Sequence, residues 1–293
     1  MKKILLFAKH GQLGHELQRT LAPLGEVIAM DHPEVDFTNP DQICERIHEM
    51  KPACLINPAA YTAVDKAESE QELAYMINRD AVDALAKTAA ELRIPFIHYS
   101  TDYVYDGRKG SPYVETDAAN PLNVYGKSKL EGDLAVLDAG GAGLILRTSW
   151  VYSMRQGGFV TKVLQWAREQ EVMRVVDDQV SGPTSARLLA EVTALILAKA
   201  GDDPYSWLGE KAGVYHCAGG GSCSRYEWAK AVLDLDPHKE EQIVRVIERA
   251  KSSEFPVPAE RPMISVLNND KLAHTFGLRL PPWDAGLALT IGD

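Results

Sequence analysis

Lys3-Ile-Leu-Leu-Phe7-Ala8-Lys-His-Gly11-Gln-Leu-Gly14 is the stretch on which the reading of this chain turns. Lys3–Phe7 is a short apolar run of strand length. A turn with the spacing small-x-x-Gly-x-x-Gly follows, with Ala8 in the first small position. Leucines at 13, 17, 21 and 24 then recur at helical spacing and form one stripe. Strand, glycine turn and helix in immediate succession are what a dinucleotide fold needs at its first β-α junction. The chain must bend tightly, the backbone must approach a pyrophosphate, and Gly11 and Gly14 keep that approach open. The pyrophosphate then rests on the unpaired N–H groups at the helix N-terminus. A ligand-free glycine connection would look the same locally, so the neighbouring segments decide.

Outward from this junction, apolar runs at 27–30, 53–57, 95–100 and 144–148 alternate with helical stretches at 41–50, 65–93 and 124–137. Continuous apolar runs suit parallel strands buried on both faces, and right-handed crossovers join such strands into a doubly wound sheet. Past Trp150 the pattern loosens, with helices near 159–170, 185–200 and 225–235 and strands at 172–176 and 214–217. The expected fold is α/β: a Rossmann-type doubly wound parallel sheet with a smaller C-terminal substrate-binding lobe. Residues 1–150 are expected to form the dinucleotide-binding domain with the catalytic residues. Residues 151–293 are expected to be mainly the lobe, with a blurred boundary that the chain can cross.

The 293 residues suffice for one large domain or two small ones sharing a cleft. A net charge of −10 argues against a general nucleic-acid binder but leaves room for an anionic small ligand. No apolar run is long enough to span a bilayer. The apolar start of the chain stops at Lys9, too soon for a signal peptide. Cys44, Cys54, Cys217 and Cys223 contain no Cys-x-x-Cys pair, so reduced thiols in a cytoplasmic protein are expected rather than disulfides or a metal site.

Asn123-Val-Tyr-Gly-Lys-Ser-Lys129 carries the clearest chemistry. Tyr125 and Lys129 stand four apart and share one face of a helix. A free phenol titrates near ~10, and an adjacent ammonium makes it a better proton donor and acceptor near neutral pH. A carbonyl reductase needs this, because a hydride reaches carbon while a proton must reach oxygen. Thr101, at the end of the fourth run, is a candidate second donor to that oxygen. Asp31 ends the second run, where a carboxylate can accept from an adenosine ribose and favour NADH. Lys9 and His10 can instead attract the 2′-phosphate of NADPH, so the preference stays open. Asp36 and Phe37 follow in a loop, with Phe37 reading equally as an adenine contact or as core. Small residues around Ala60-Tyr61-Thr62 leave room for a dinucleotide, and Tyr99 is either a cofactor neighbour or a core residue.

The order of glycine turn, Ser-Thr-Asp near residue 100 and Tyr-x-x-x-Lys resembles the extended short-chain dehydrogenase/reductase superfamily. Four longer strings are similar to the dTDP-4-dehydrorhamnose reductase family. They are Thr62-Ala-Val-Asp-Lys-Ala-Glu68, His98-Tyr-Ser-Thr-Asp-Tyr-Val104, Pro121-Leu-Asn-Val-Tyr-Gly-Lys127 and Arg147-Thr-Ser-Trp-Val-Tyr152. Asp178-Gln179, Pro183-Thr184 and Arg261-Pro262 extend the likeness along nearly the whole chain. The resemblance implies NAD(P)H-dependent reduction of the C4 ketone of dTDP-4-dehydro-L-rhamnose, the last step of dTDP-rhamnose synthesis. It implies Tyr125 as proton donor, Lys129 as the group that holds the nicotinamide ribose and tunes the tyrosine, and Thr101 as a hydrogen-bond donor to the reacting oxygen. Asp102 and Trp150 would line the sugar site. Gly11, Gln12, Leu13, Asp31, Asp36, Phe37, Ala60, Tyr61, Thr62 and Tyr99 would contact the cofactor.

The chain departs from the family at several positions. Ala8 stands where glycine is usual and should resist a positive φ, so an altered turn or weaker cofactor binding is expected. Some members dimerise around magnesium held by glutamates. Glu16 matches one such position but Arg187 stands at another, so no metal site is expected, while a homodimer remains compatible. For the pyrophosphate of a dTDP-sugar, Arg261 is the leading candidate cation, ahead of Arg155 and Lys162. Three other readings compete. A 4,6-dehydratase would need a second carboxylate where Tyr103 follows Asp102. A related 4-ketoreductase would give a different 6-deoxysugar. A non-catalytic NADP-binding subunit would not need the intact Thr101, Tyr125 and Lys129.

Overall fold

Six strands form one parallel sheet: β1 (Lys3–Phe7), β2 (Glu26–Met30), β3 (Cys54–Asn57), β4 (Phe96–Thr101), β5 (Gly143–Thr148) and β6 (Gly213–His216). Their spatial order is β6-β5-β4-β3-β1-β2, and every neighbouring pair is parallel. A computed structural model of the protein describes residues 2–155 and 157–292. Seven helices frame the site: α1 (Gln12–Leu21), α2 (Pro40–Met50), α3 (Ala81–Glu91), α4 (Val124–Ala139), α5 (Phe159–Glu169), α6 (Ala186–Lys199) and α7 (Arg225–Asp234).

Both faces of the sheet are covered, which explains the unbroken apolar runs. Side chains alternate along each strand. Ile4, Leu6, Ile97, Leu144 and Leu146 point to one face and meet Leu13, Leu17 and Leu21 of α1 and Leu189, Val192 and Ile196 of α6. Leu5, Phe7, Leu55, Phe96 and Ile145 point to the other and meet α2, α3 and α4 through Ile43, Ile47, Val82, Leu85 and Val136. The expected doubly wound α/β sheet is present. Strand β6 and helix α6 come from beyond residue 150 and pack as part of the sheet layers. The remaining C-terminal segments build a lobe in which Val172–Val176 pairs in parallel with Val246–Ala250. Trp228, Val160, Val163, Met173 and Val175 form its core.

The helical region expected over 65–93 is not continuous. It runs as Val64–Ala67, Gln71–Tyr75, a five-residue π turn at Met76–Asp80, and then α3. The π turn carries Asn78, which is fully buried. Its Oδ1 accepts from the Tyr61 N–H at 2.8 Å, and its Nδ2 donates to the Tyr61 carbonyl at 3.1 Å and to Ser128 Oγ at 3.0 Å. Helix α4 crosses closely here, since a Cβ at Gly132 would lie 2.1 Å from the Asn78 carbonyl oxygen.

Candidate active site

Strand β1 lies between β2 and β3, so the chain leaves the sheet centre in opposite directions after β1 and after β3. The crevice beyond the carboxyl ends of these strands is where ligands bind in open α/β sheets. The turn after β1 fits a dinucleotide pyrophosphate. Ala8 takes φ +53°, and its carbonyl accepts from the Gly11 N–H at 3.0 Å. The expected resistance of Ala8 to positive φ does not prevent this conformation. A Cβ on Gly14 would stand 1.9 Å from the Ala8 carbonyl oxygen, so only glycine lets α1 begin this close to the turn. Gly11 caps α1 without a side-chain bond, which leaves the first-turn N–H groups to a phosphate. Gln12 is half-buried and Leu13 buried, and Gln12 Oε1 accepts from Ser153 Oγ at 3.0 Å.

The charged residues beside this turn brace one another. Asp31 accepts from the main-chain N–H of His10 at 3.1 Å and of His32 at 2.9 Å. Lys9 Nζ is bound to Glu34 at 2.5 Å. Asp36 accepts from the Thr38 N–H at 2.8 Å and hydroxyl at 2.7 Å, which hold its carboxyl below the usual range. Phe37 packs edge-on against Phe7, 5.3 Å between centroids, at the margin of the core. Across the switch point, Asn78 clamps the main chain of Tyr61 between Ala60 and Thr62. The Tyr61 phenol donates to Glu70 at 2.5 Å, and that bond pushes its pKa up to about 12.

Helix α4 begins at Asn123, whose Oδ1 accepts from the Gly126 N–H at 2.8 Å and whose Nδ2 donates to the Glu260 carbonyl at 2.7 Å. Gly126 lets the helix touch the turn at 102–104, because a Cβ there would lie 2.3 Å from the Tyr103 carbonyl oxygen. That approach brings the Tyr125 phenol beside the Thr101 hydroxyl, close enough for the hydroxyl to act on its ionisation. Burial raises the phenol pKa, the neighbouring Thr101 hydroxyl opposes the shift, and the Asp102 charge adds to it. Tyr125 is therefore protonated at neutral pH, as a proton donor must be. Lys129 is fully buried, and its Nζ donates to the Tyr99 carbonyl at 2.7 Å and to His98 Nε2 at 3.1 Å. Burial pulls its pKa down to about 8, and the Asp133 carboxylate one turn further along α4 opposes the shift. Asp133 is itself paired with Arg147 at 2.9 Å. Tyr125 and Lys129 thus share a helix face as expected, while the ammonium is anchored on β4. The Tyr99 ring is buried, with its hydroxyl 2.6 Å from Thr193 Oγ1 of α6.

The substrate side converges on Asp102. It is 2% exposed, receives Ser265 Oγ at 2.5 Å and Thr101 Oγ1 at 3.2 Å, and burial pushes it up to about 6. Trp150 takes φ +43° and stacks on Trp228 at 5.5 Å, with the Arg225 guanidinium 3.7 Å above its ring. Arg261 is paired with Asp65 at 2.7 Å and donates to the Ala259 carbonyl at 2.8 Å. It lines a cavity of about 550 Å³ with Gln179, Phe255 and Val257. A second cavity of about 260 Å³ shares Gln179 and Phe255 and adds Phe159, Trp166 and Arg225. Arg155 and Lys162 are exposed.

Sequence reasoning singled out neither Asn78, His98, Ser265 nor Arg225. Only His98 lay inside a quoted string. Arg225 is the first residue of a helix with a Ser224/Glu227 capping box, so locally it reads as an ordinary helix start.

Comparison with known proteins places the chain among named relatives. The family profile described as RmlD substrate binding domain matches residues 1–293. The chain is 43% identical over 290 residues to the dTDP-4-dehydrorhamnose reductase of Salmonella typhimurium LT2, covering 97% of this chain and 95% of that protein. It is similar to the crystal structure of a dTDP-4-dehydrorhamnose reductase from Clostridium acetobutylicum, with 36% identity, TM-score 0.89 and coverage of 99% and 98%. It is equally similar to the Bacillus anthracis enzyme in complex with NADP, with 31% identity, TM-score 0.89 and coverage of 99% of each chain.

Proposed function

The chain belongs to the dTDP-4-dehydrorhamnose reductase family, and from that membership we propose a role for each side chain in the cleft. The protein is an oxidoreductase that reduces the C4 ketone of dTDP-4-dehydro-L-rhamnose to dTDP-L-rhamnose with NAD(P)H. When bound, the dinucleotide supplies the hydride. Gly11, Gln12, Leu13 and Gly14 would hold its pyrophosphate, with Asp31, Asp36, Phe37, Ala60, Tyr61, Thr62 and Tyr99 around the remainder. Lys129 would reach its ribose.

Tyr125 delivers the proton to the C4 oxygen, and Thr101 steadies the negative charge that develops there. Each such donor is worth about 10²–10³ in rate. Asp102 and Trp150 position the sugar, and Arg261 attracts the diphosphate. The carrying observation is the placement of the Tyr125 phenol beside Thr101 where β4 ends at the crevice, with Lys129 of the same helix anchored on the Tyr99 carbonyl at 2.7 Å. We infer a cytoplasmic setting from the four free cysteines, three of them buried, and among the described residues no helix is long and apolar enough to cross a membrane. A homodimer is a further expectation, testable by light scattering.

Steady-state kinetics of Tyr125→Phe with dTDP-4-dehydro-L-rhamnose test the assignment. The variant should bind NADPH nearly as the wild type does and turn over at least ~10²-fold more slowly. Turnover close to normal would remove Tyr125 as proton donor. A wild type that binds NADPH but reduces no 4-keto sugar nucleotide would point instead to a non-catalytic role.

A further inference from the structure

Arg225 is a strongly charged side chain of the cleft to which the proposed roles above give no task. Its guanidinium lies 3.7 Å above the Trp150 ring, with Phe159 at 5.1 Å and Trp228 at 5.5 Å. Among the described residues it makes no side-chain hydrogen bond and no ion pair. Its N–H donors are thus held on an aromatic shelf with no protein acceptor in place, partly exposed and open to a ligand. It feels the charge of Asp102, and both oxygens of that carboxylate are already taken by Thr101 and Ser265. Arg261 adds a second guanidinium within electrostatic reach. Arg261 already has Asp65 as its partner at 2.7 Å, so Arg225 is the guanidinium of this pair that has no carboxylate bound to it among the described residues.

The position of Arg225 suggests which anion. On one side lie Trp150 and Asp102, at the sugar end of the cleft. On the other lies the groove of Phe159, Trp166, Gln179 and Phe255, which continues to Arg261. A nucleotide sugar has an apolar, stackable base at one end, a sugar at the other, and a doubly charged linker between them. Resting on the assignment of this cleft to a dTDP-sugar, we infer that Arg225, held flat on Trp150, binds the diphosphate linker and is a specificity-determining residue for the nucleotide half of the substrate. The planar fork suits two phosphate oxygens at once, and stacking fixes its orientation before the ligand arrives. Trp150 then has two duties: one face or edge toward the sugar, and a shelf for the cation.

The test is titration of the full-length protein with dTDP and with thymidine, in wild type, Arg225→Met and Arg225→Lys, with NADPH binding as the control for folding. Arg225→Met should lose dTDP affinity by about 10- to 100-fold while thymidine affinity changes by less than about threefold. Arg225→Lys should fall between wild type and Arg225→Met, because the charge remains while the planar fork and its stacked orientation are lost. In turnover, the loss should fall mainly on KM rather than kcat. Unchanged dTDP affinity in Arg225→Met overturns the inference. So does an equal loss for dTDP and thymidine, which would mark Arg225 as mere packing, and so does a lysine variant as weak as the methionine one. Failure of the wild type to bind dTDP overturns it as well. These titrations need no turnover. A wild type that binds dTDP but does not reduce the keto sugar would sink the catalytic reading and leave the Arg225 result standing.

Discussion

Asp102 shows what the environment adds to a residue. The sequence places an acid after Thr101 and says nothing of its charge state. Near-complete burial, reached through Ser181, Ser265 and the α4 approach, moves its pKa up to about 6 from its ordinary value of 3.8. A raised carboxyl pKa means that the folded state binds the proton more tightly than the unfolded state. Its contribution to stability is complete below about pH 4 and is lost as pH rises through about 6. Two pKa units correspond to roughly 3 kcal/mol. Asp102→Asn keeps the shape and an acceptor for Ser265 but cannot ionise. Urea unfolding at pH 4 and pH 7 should therefore show the variant gaining about 3 kcal/mol on the wild type across that interval. Parallel stability curves would mean that Asp102 is ionised at little cost. Local signals were enough to single out Thr101, Tyr125 and Lys129 as candidates, because their spacing is set within one strand end and one helix. The anchoring of Lys129 on His98 was not legible, since it depends on α4 lying against β4.

At the scale of elements, the π turn at Met76–Asp80 is the least legible feature and one with consequences for the site. Its sequence is helix-compatible, so periodicity extends straight through it. Only the tertiary partners, Tyr61 on one side and Ser128 on the other, favour the extra residue per turn that aims Asn78 inward. Single π turns of this kind occur often at functional sites. Through its three bonds Asn78 couples the Ala60–Thr62 loop to α4, so both walls of the proposed cofactor crevice share one buried amide. Asn78→Ala removes those bonds and leaves the Tyr61 main-chain groups without their partners. The expected cost is about 1–3 kcal/mol of stability, together with weaker NADPH binding. Thermal melts and a fluorescence titration measure the two effects. A destabilised variant with unchanged NADPH affinity would show that the clamp serves the fold alone. The strand Val246–Ala250 was missed for another reason: it lies at the margin of a two-stranded pair with a mostly exposed pattern, so it carries neither a continuous apolar run nor clean alternation.

For the whole molecule, the decisive fact is that β6 and α6 return to the sheet after the chain has begun the lobe. The strand and helix at these positions were visible in the sequence, but apolar periodicity does not say which layer an element joins. The consequence is energetic. Leu17 and Leu21 of α1 and Leu144 and Leu146 of β5 are fully buried in the cluster that α6 and β6 complete with Leu189, Val192, Ile196 and Tyr215. Burying each leucine contributes roughly 1.5–3 kcal/mol, so the four together account for about 6–12 kcal/mol. That is comparable to the entire stability of an ordinary domain, about 5–15 kcal/mol. A fragment ending at residue 150 keeps the glycine turn, Thr101, Tyr125 and Lys129, yet exposes one face of its sheet. It should show no cooperative thermal transition and no NADPH binding, whereas the intact chain should melt in a single step that moves upward with NADPH. Sharp melting or slow amide exchange in the fragment would show that the first half is self-sufficient and that α6 and β6 are additions to it. If the fragment fails as expected, hydride delivery and substrate recognition rest on one folding unit. A change in the lobe, at Arg225 for example, can then be read in binding terms only when NADPH affinity certifies that the sheet beneath it is intact.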